Sequence, residues 1–266
     1  LCDKQTRSEI GNSVKRDERR QAIINLLIEN HAVDLDDLSE RFAVSKMTIH
    51  RDLDSLEESG VLRKVRGGAT MDAGSQFESD FRFRVQQDNE AKIEMGRAAL
   101  DLIEPGMTVM INDGSTAAVL GSMLIEKRPL TVITNNAVII ENLKGEGGIN
   151  LIALGGVFSA KFNAFFGLLT EEALSKLSAD IAFISAPAVN GRLVYHMDEN
   201  VVRTKRAMTA SATRTCLLVN HQRFRRTALH VMADLGDFDA IITDKSPGDA
   251  LVAELEPAGI KLTIAE

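Results

Sequence analysis

The sequence predicts a small helical domain followed by a larger α/β domain, and three observations support this fold class. The chain has 266 residues, which is long for one domain. Its first 70 residues place apolar side chains at helical spacing. From about residue 90 onward, short apolar runs alternate with helical stretches, which is typical of a largely parallel sheet. We therefore expect domains at residues 1–70 and 91–266, joined by a linker at residues 71–90.

Composition narrows the class of protein. Hydrophobic residues make up 44% and charged residues 26%, close to the averages of globular proteins, which argues against a long disordered chain. The sequence has no run of 18 apolar residues and no signal segment, so we expect a cytoplasmic protein with no membrane partner. Neither Cys2 and Cys216 nor the histidines show metal-ligand spacing. We expect free thiols, no metal and no cofactor.

The first two predicted helices lie within residues 16–42. The apolar residues between Ile23 and Leu27 share one face of a helix over residues 16–30. A second, short helix over residues 34–42 has Asp34 as its N-cap. A tight turn at residues 43 and 44 then leads to a third helix.

The third predicted helix carries the face that matters most for function. Ser45 supplies its N-cap, Gly60 its stop, and Ile49, Leu53 and Leu56 turn inward together. A step of 100° per residue then turns four side chains outward, those of Met47, His50, Arg51 and Asp54. Thr48 lies on the flank of this outer face, and Lys46 lies near the N-terminus of the helix.

A glycine-rich basic segment follows this helix. Residues 59–70 contain Arg63, Lys64 and Arg66 and no acid, and their β character predicts a hairpin. Two helices joined by a turn, with a helix before them and a basic hairpin after them, form a winged helix-turn-helix pattern that reads the major groove of DNA. Any small three-helix bundle shows similar faces, and the helix pattern alone does not separate the two. The net charge of −7 does not by itself suggest a nucleic-acid partner.

The residues around the turn resemble the N-terminal signature of the DeoR family of bacterial repressors. The resemblance covers residues 38–42, 44–45, 48–53, 56–57, 60 and 66–69. Residues 48–53 match the family's usual Thr-Ile-Arg-Arg-Asp-Leu run except at His50. The resemblance implies binding to double-stranded operator DNA. We expect the DNA contacts to come from Ser45, Lys46, Met47, Thr48, His50, Arg51, Arg63, Lys64 and Arg66.

The second domain is predicted from its alternating elements. The linker before it holds Phe77, Phe81 and Phe83, which can dock against either domain. Apolar runs predict strands at residues 108–112, 130–134, 150–154, 181–185, 215–219, 240–243 and 261–264. Helical stretches are predicted at residues 90–103, 116–126, 170–177, 199–212 and 248–255.

Polar or glycine-rich loops follow the first three of these strands. Residues 113–116, Asp-Gly-Ser-Thr, end a strand and open a helix, so backbone N–H groups and two hydroxyls favour an anion such as phosphate. Ser and Thr are also ordinary N-caps, which leaves a purely structural role open. The loops at 134–136 and 155–156 follow the next strands at the same edge of the sheet, which favours a ligand site.

These loops extend the resemblance from about Arg16 to the C-terminus, because they look like the DeoR sensor domain. That domain is similar in fold to ribose-5-phosphate isomerase and binds a phosphorylated sugar. The resemblance implies effector contacts from Asp113, Gly114, Ser115, Thr116, Thr134, Asn135, Gly155, Gly156 and Lys205.

Three departures from the family pattern concern the effector. Arg223 replaces a phosphate-facing Lys, Val201 stands where a Glu is common, and Pro187 stands where an Asp is common. They imply an unusual effector. Within the family, the chain looks most like repressors of opine catabolism of the agrocinopine type.

Two functions from different classes remain open. The first is a repressor of a sugar or opine catabolic operon that a phosphorylated sugar releases from its operator. The second is a sugar-phosphate isomerase-like enzyme fused to a nucleic-acid-binding segment, with Asp113 as its base. Because acids are missing at positions 187 and 201, we expect no catalytic residue and favour the repressor. A single winged helix with little positive charge binds DNA weakly, so we expect a homodimer or homotetramer.

Overall fold

The computed structural model describes residues 15–27, 30, 32–58, 61–70 and 80–265. The chain divides into two units between Phe83 and Arg84. This division lies inside the segment 71–90 that the sequence assigns to a linker. Cys2, Gly60 and Phe77, which carry expectations from the sequence, lie outside the described residues.

Helices and a small antiparallel sheet form the N-terminal unit. The carboxylate of Asp34 accepts hydrogen bonds from the backbone N–H groups of Asp36 and Asp37, which confirms the predicted N-cap. Strand β3 lies between β1 and β2 and pairs antiparallel with both. The elements are α1, described over residues 15–27, β1 (Ala32–Asp34), α2 (Leu35–Phe42), α3 (Lys46–Glu58), β2 (Arg63–Val65) and β3 (Gly68–Thr70).

The core of this unit consists of the apolar faces that the sequence predicts. Ile49, Leu53 and Leu56 of α3 are buried together with Ile23 of α1. Phe83, one of the linker phenylalanines, packs in the same core. The predicted winged helix-turn-helix arrangement is confirmed, with the hairpin of β2 and β3 as the wing.

A buried carboxylate ties α1 to α3. Asp52 accepts hydrogen bonds from Arg19 Nε at 2.6 Å and from Arg20 Nε at 3.0 Å. Asp52 is buried while its neighbour Arg51 is exposed. The two adjacent residues Arg51 and Asp52 thus have different roles. Arg51 faces away from the core, whereas Asp52 holds two helices together.

Seven parallel strands form the sheet of the C-terminal unit: β4 (Thr108–Ile111), β5 (Leu130–Thr134), β6 (Ile149–Ala153), β9 (Ala179–Ser185), β12 (Ala212–Leu218), β14 (Ala240–Thr243) and β15 (Thr263–Ile264). Their order across the sheet is β15-β14-β12-β9-β4-β5-β6. The helices are α4 (Phe81–Arg84), which spans the division, α5 (Asn89–Leu100), α6 (Ser115–Met123), α7 (Ala137–Leu143), α8 (Leu168–Leu174), α9 (Glu199–Ala210) and α10 (Asp249–Leu255).

Apolar clusters on this sheet form two cores. One includes Met110, Ile184 and Leu217, and the other includes Ile111, Phe183 and Cys216. Neighbouring residues of one strand fall in different clusters because successive side chains point to opposite faces. Helices cover both faces, which is the arrangement expected for strands connected by helical crossovers.

The order in which the chain adds strands to the sheet changes direction between β4 and β9. From β4 it continues to β5 and β6 on one side, and then returns to β9, β12 and β14 on the other. In open α/β sheets, the loops that leave the two strands at such a switch point diverge and open a crevice for ligands. The topology therefore places a crevice next to the ends of β4 and β9.

The sequence misses the short antiparallel strands of this unit. They form a hairpin of β7 (Val157–Ser159) and β8 (Ala164–Phe166), and a three-stranded sheet of β10 (Ala188–Asn190), β11 (Leu193–His196) and β13 (His230–Asp234). Strands of three to five residues give too few alternations to be recognised as a pattern. The predicted parallel strands and their helices are present with shifts of a few residues at their ends, which confirms the α/β class.

Among the described residues, no helix is long and apolar enough to cross a membrane.

Candidate functional site

The outer face of α3 matches the prediction from the helical step. The Ser45 hydroxyl accepts a hydrogen bond from the backbone N–H of Thr48 at 3.2 Å, as an N-cap does. Met47 is 62% exposed, although it is a large apolar side chain. The other predicted outward side chains are also exposed, with Thr48 intermediate on the flank: Lys46, His50, Arg51 and Asp54.

The wing presents the predicted basic residues, but one of them is engaged within the unit. Arg63 and Arg66 are exposed. The Lys64 ammonium forms an ion pair with Asp54 of α3, and the Lys64 backbone N–H donates to Glu57 at 2.7 Å. These contacts fix the wing against α3, so Lys64 has to exchange a carboxylate for a phosphate if it binds DNA.

Lys46 is engaged in the same way. Its ammonium lies 2.5 Å from the Asp36 carboxylate, and this hydrogen bond raises the pKa of Lys46. Within the described part of the chain, His50 and Arg51 form no ion pair. The centre of α3 therefore offers a guanidinium and an imidazole that are available to base edges.

A pocket lies in the C-terminal unit where the strand order reverses. The loops after β4 and β9 supply its floor, through Ser115 and Thr116 and through Ser185 to Pro187. The remaining lining residues are Arg84, Gln87, Asp88, Lys92, Lys205, Leu218, Asn220 and Arg223.

A buried ammonium lies at the base of this pocket. Lys205 of α9 is only 2% exposed, and its Nζ donates to the backbone carbonyl of Ser185 at 2.8 Å. The same Nζ lies 3.7 Å from the Asp113 carboxylate. Burial lowers the pKa of Lys205, and the charge of Asp113 opposes this shift. The ammonium therefore joins the ends of β4 and β9.

Hydrogen bonds hold the same two strand ends together. The Asn112 side chain accepts from the Ser185 N–H at 3.0 Å and donates to the Ser185 hydroxyl at 3.3 Å. Gly114 follows with φ of +117°, and a Cβ at this position would lie 2.5 Å from the Ser185 hydroxyl. Only glycine fits this close approach. The loop that enters α6 is consequently packed tightly against the end of β9.

Positive charge exceeds negative charge around the pocket. Arg84, Lys92, Lys205 and Arg223 line it, against the single lining carboxylate of Asp88. The N-terminus of α6 adds backbone N–H groups and the positive end of a helix dipole. With the carboxylate of Asp113 counted, this surplus is matched by the charge of one phosphate monoester.

Two buried oxygen atoms near these loops are hydrogen-bond acceptors. Among the described residues, Asp113 Oδ2 and Asn135 Oδ1 have no hydrogen-bond partner. The Asn135 amide nitrogen donates to the Phe165 carbonyl at 2.9 Å, which fixes the orientation of the side chain. A buried acceptor without a donor is costly, and a ligand hydroxyl supplies one.

The structure brings some of the predicted effector residues together and not others. Ser115, Thr116, Lys205 and Arg223 line the pocket, and Asp113 and Gly114 lie beneath it. The remaining four predicted residues do not line the pocket. Thr134 forms hydrogen bonds with Ile111 and Asn136, and Asn135 forms one with Phe165. Gly155 accepts a hydrogen bond from Thr170, and Gly156 faces the Phe166 carbonyl.

Four lining residues come from a segment that the sequence analysis assigns to the linker or to the start of a helix. They are Arg84, Gln87, Asp88 and Lys92. No periodicity or motif marks them, because they reach the pocket only through the tertiary fold. Ser185 and Asn220 could have been found, since Ser185 is the last residue of a predicted buried strand and Asn220 directly follows another.

His196 lies outside the lining and is buried. Its Nδ1 accepts a hydrogen bond from the Asp198 N–H at 3.1 Å, and its ring lies 5.6 Å from the Phe162 ring. Burial lowers the pKa of His196 to about 2, with the charges of Lys205 and Arg84 adding to the shift. The imidazole is therefore neutral. In the described part of the chain, no cluster of His, Cys, Asp and Glu could hold a metal ion.

Comparison with known families and proteins agrees with this division of the chain. The DeoR-like helix-turn-helix domain matches residues 19–74, and the DeoR C terminal sensor domain matches residues 87–245. An uncharacterized HTH-type transcriptional regulator of Escherichia coli, YgbI, is 29% identical over 94% of this chain and 98% of its own length. The Glycerol-3-phosphate regulon repressor of Escherichia coli is 27% identical over 94% and 100%.

The solved structures give a more distant likeness. Ribose 5-phosphate isomerase A from Methanocaldococcus jannaschii is 16% identical, covers 52% of this chain and 55% of its own, and superposes with a TM-score of 0.39. The relatives by sequence are named as transcriptional regulators and not as enzymes.

Replacing Lys205 with Met tests the buried ion pair. The change leaves the Asp113 carboxylate buried without its cation, so we expect the free energy of unfolding to fall by about 3–5 kcal/mol. Adding Asp113→Asn removes the uncompensated charge and is expected to recover most of this loss. Denaturant unfolding followed by circular dichroism measures the three proteins, with Lys176→Met as the exposed control. Equal stability of Lys205→Met and the wild type would contradict this interpretation.

Proposed function

This chain belongs to the DeoR family, and we propose that it represses a sugar or opine catabolic operon and leaves its operator when a phosphorylated sugar binds the C-terminal unit. The observation that carries the proposal is the pocket at the switch point. It combines four cationic side chains with the N-terminus of α6. Neutral ligands gain little from such a site, whereas a phosphate monoester balances its charge.

We propose that the phosphate lies against Ser115, Thr116, Lys205 and Arg223. Arg223 offers two parallel N–H donors, and the hydroxyls and the helix N-terminus complete the set. Asp113, which lies beneath the pocket, is then the acceptor for a sugar hydroxyl, since its buried Oδ2 has no partner among the described residues. Asn135 lies outside the pocket lining and holds its loop to Phe165. Thr134, Gly114, Gly155 and Gly156 shape the surrounding loops.

The relatives support a sugar-phosphate effector without identifying it. One is named for a glycerol-3-phosphate regulon, another as the repressor GlcR of Bacillus subtilis, and a third as an L-fucose operon activator. For this chain, Arg223 and Pro187 in the pocket wall distinguish the site from the family pattern. The effector we propose is a phosphorylated sugar or opine-derived sugar phosphate, and repression is the response we favour.

The DNA-binding half of the proposal rests on α3 and the wing. His50 and Arg51 read base edges in the major groove, with Met47 and Thr48 beside them. Ser45, Lys46, Arg63, Lys64 and Arg66 contact the phosphate backbone. A protein that binds operator DNA in a bacterium works in the cytoplasm.

We propose that the chain assembles as a homodimer or homotetramer through its C-terminal unit. Val157 is 75% exposed, and Phe158, Leu168 and Leu169 add further exposed apolar surface on β7 and α8. Exposed apolar side chains that cluster on neighbouring elements are typical of protein interfaces. Two copies would also give two DNA-reading heads.

An isomerase remains the second candidate function. Asp113 and Lys205 form a carboxylate and ammonium pair at the base of the pocket, which is the kind of pair that proton transfer requires. Incubating the protein with pentose phosphates and following isomer formation tests it. Turnover that Asp113→Asn abolishes would favour the enzyme over the sensor.

Phosphate recognition is tested with the double variant Ser115→Ala, Arg223→Ala. Each change removes a donor to the phosphate, so we expect the Kd of a pentose phosphate to rise at least about 30-fold. The unphosphorylated pentose is expected to bind wild type far more weakly than its phosphate. Calorimetry measures both, with Ser122→Ala, Arg214→Ala as a control outside the pocket. Equal binding of the free sugar and its phosphate would rule out this site.

Base reading is tested with Arg51→Ala on an operator selected in vitro from random duplexes. Loss of a contact to a base edge is expected to cost about 1–3 kcal/mol and to relax preference at one position per half-site. Lys64→Ala and Arg66→Ala are expected to weaken all sequences alike and to reduce the salt dependence. If wild type and Arg51→Ala bind the operator equally, the assignment of α3 is wrong.

Assembly is tested by light scattering at micromolar concentration. We expect the mass of a dimer or tetramer for the wild type, and a lower mass for Phe158→Glu because a charge is costly at an apolar contact. The exposed Val85→Glu change is the control. A wild-type monomer with full operator affinity would be incompatible with the proposed assembly.

A further inference from the structure

Five residues connect the end of the N-terminal unit to the wall of the pocket. Residues 84–88, here termed the strap, begin the C-terminal unit. Three of them line the pocket: Arg84, Gln87 and Asp88. Phe83, directly before the strap, packs in the core of the N-terminal unit. The chain therefore passes from the DNA-binding unit straight into the wall of the proposed effector site.

Lys92 holds both ends of the strap. This residue of α5 is 5% exposed, and its ammonium donates to the backbone carbonyls of Arg84 and Gln87. Its backbone N–H donates to the Asp88 carbonyl at 3.0 Å. An ammonium has three donors. Two are used on the strap, and Lys92 also lines the pocket.

We propose that Lys92 is the positioning residue that makes the order of the strap depend on an anion in the pocket. The inference rests on the proposed phosphate site, and it concerns regulation of that site. An anion in the pocket attracts the ammonium that already binds the two strap carbonyls. Occupancy then stabilises the strap in the arrangement that Lys92 bonds, and this arrangement in turn stabilises the bound anion.

The charges around Lys92 define the direction of this coupling. Burial lowers the pKa of the Lys92 ammonium to about 8, the charge of Asp88 opposes the shift, and the charges of Arg84 and Arg223 add to it. Lys205, from α9, also faces the pocket. A bound phosphate adds negative charge and raises the pKa of Lys92 again.

The sign of the pH dependence follows from this lowered pKa. In the empty pocket, Lys92 is charged below about pH 8 and loses its proton above it. The strap is therefore held less firmly as the pH rises through 8. Phosphate binding takes up protons in this range, so its affinity falls as the pH rises. An arginine at position 92 stays charged and removes this contribution.

Hydrogen exchange on the full-length protein tests the proposal. Exchange of residues 84–88, corrected for intrinsic rates, is measured between pH 7 and 9 with and without inorganic phosphate or a pentose 5-phosphate. Calorimetry on the same samples measures binding. The proteins are wild type, Lys92→Met, Lys92→Arg and the exposed control Lys176→Met.

In the wild type, we expect the strap to exchange faster above pH 8 and phosphate to slow it. In Lys92→Met, the strap is expected to exchange about tenfold faster and to respond little to phosphate that still binds. Lys92→Arg is expected to restore the response and to remove the change near pH 8. Restoration by arginine would show that the charge at position 92 positions the strap, and not only the packing of the side chain.

The outcomes distinguish this inference from the proposed function. If neither phosphate probe binds the wild type, the proposed effector site is wrong. Exchange of the strap in the ligand-free protein still tests whether Lys92 holds it. If phosphate binds and the strap of Lys92→Met behaves as in the wild type, the role of Lys92 is wrong. The same conclusion follows if Lys92→Arg keeps the wild-type pH dependence.

Discussion

The site in the C-terminal unit depends on the contacts of the Lys205 ammonium with Ser185 and Asp113. This ammonium is buried at the point where the sheet reverses its order, and it bonds the end of β9 while facing the carboxylate that follows β4. Without a cation here, Asp113 would be a buried charge without compensation. Without Asp113, the ammonium would lose the charge that opposes its desolvation. The two loops that form the floor of the pocket are therefore fixed by groups that also give it charge.

The sequence predicts those features of the fold and the site that depend on neighbouring residues in the chain, and it misses those that depend on tertiary contacts. Strands at residues 130–134 and 240–243 have the same bounds as predicted, because each is a short run of aliphatic residues and threonine that a polar residue follows. The exposed face of α3 follows from the helical step alone. Arg84 and Lys92 could not be predicted as pocket residues, since they reach the pocket only in the folded chain, where Lys92 also bonds strap carbonyls. The two glycines after β6, which the sequence predicts as ligand contacts, lie outside the pocket lining, where Gly155 accepts from Thr170 and Gly156 faces the Phe166 carbonyl.

The N-terminal unit divides its charges between structure and recognition. Asp52 with two arginines joins α1 to α3, and Asp54 holds the wing through Lys64. These pairs stabilise the reading head in the absence of DNA. In these pairs Arg19, Arg20 and Lys64 are engaged with carboxylates of the same unit. The cations of such pairs have to exchange a carboxylate for a phosphate before they add to the general attraction between protein and DNA.

The close approach of Gly114 to Ser185 has a consequence for how new ligand specificities arise. A side chain at position 114 would collide with the Ser185 hydroxyl at 2.5 Å, so this part of the loop has no freedom to diversify. Pro187, Asn220 and Arg223 in the pocket wall have no left-handed backbone conformation, so their positions carry no such requirement for glycine. Evolution of this scaffold toward other effectors can therefore change the rim of the pocket one residue at a time, while the floor is inherited as an intact unit.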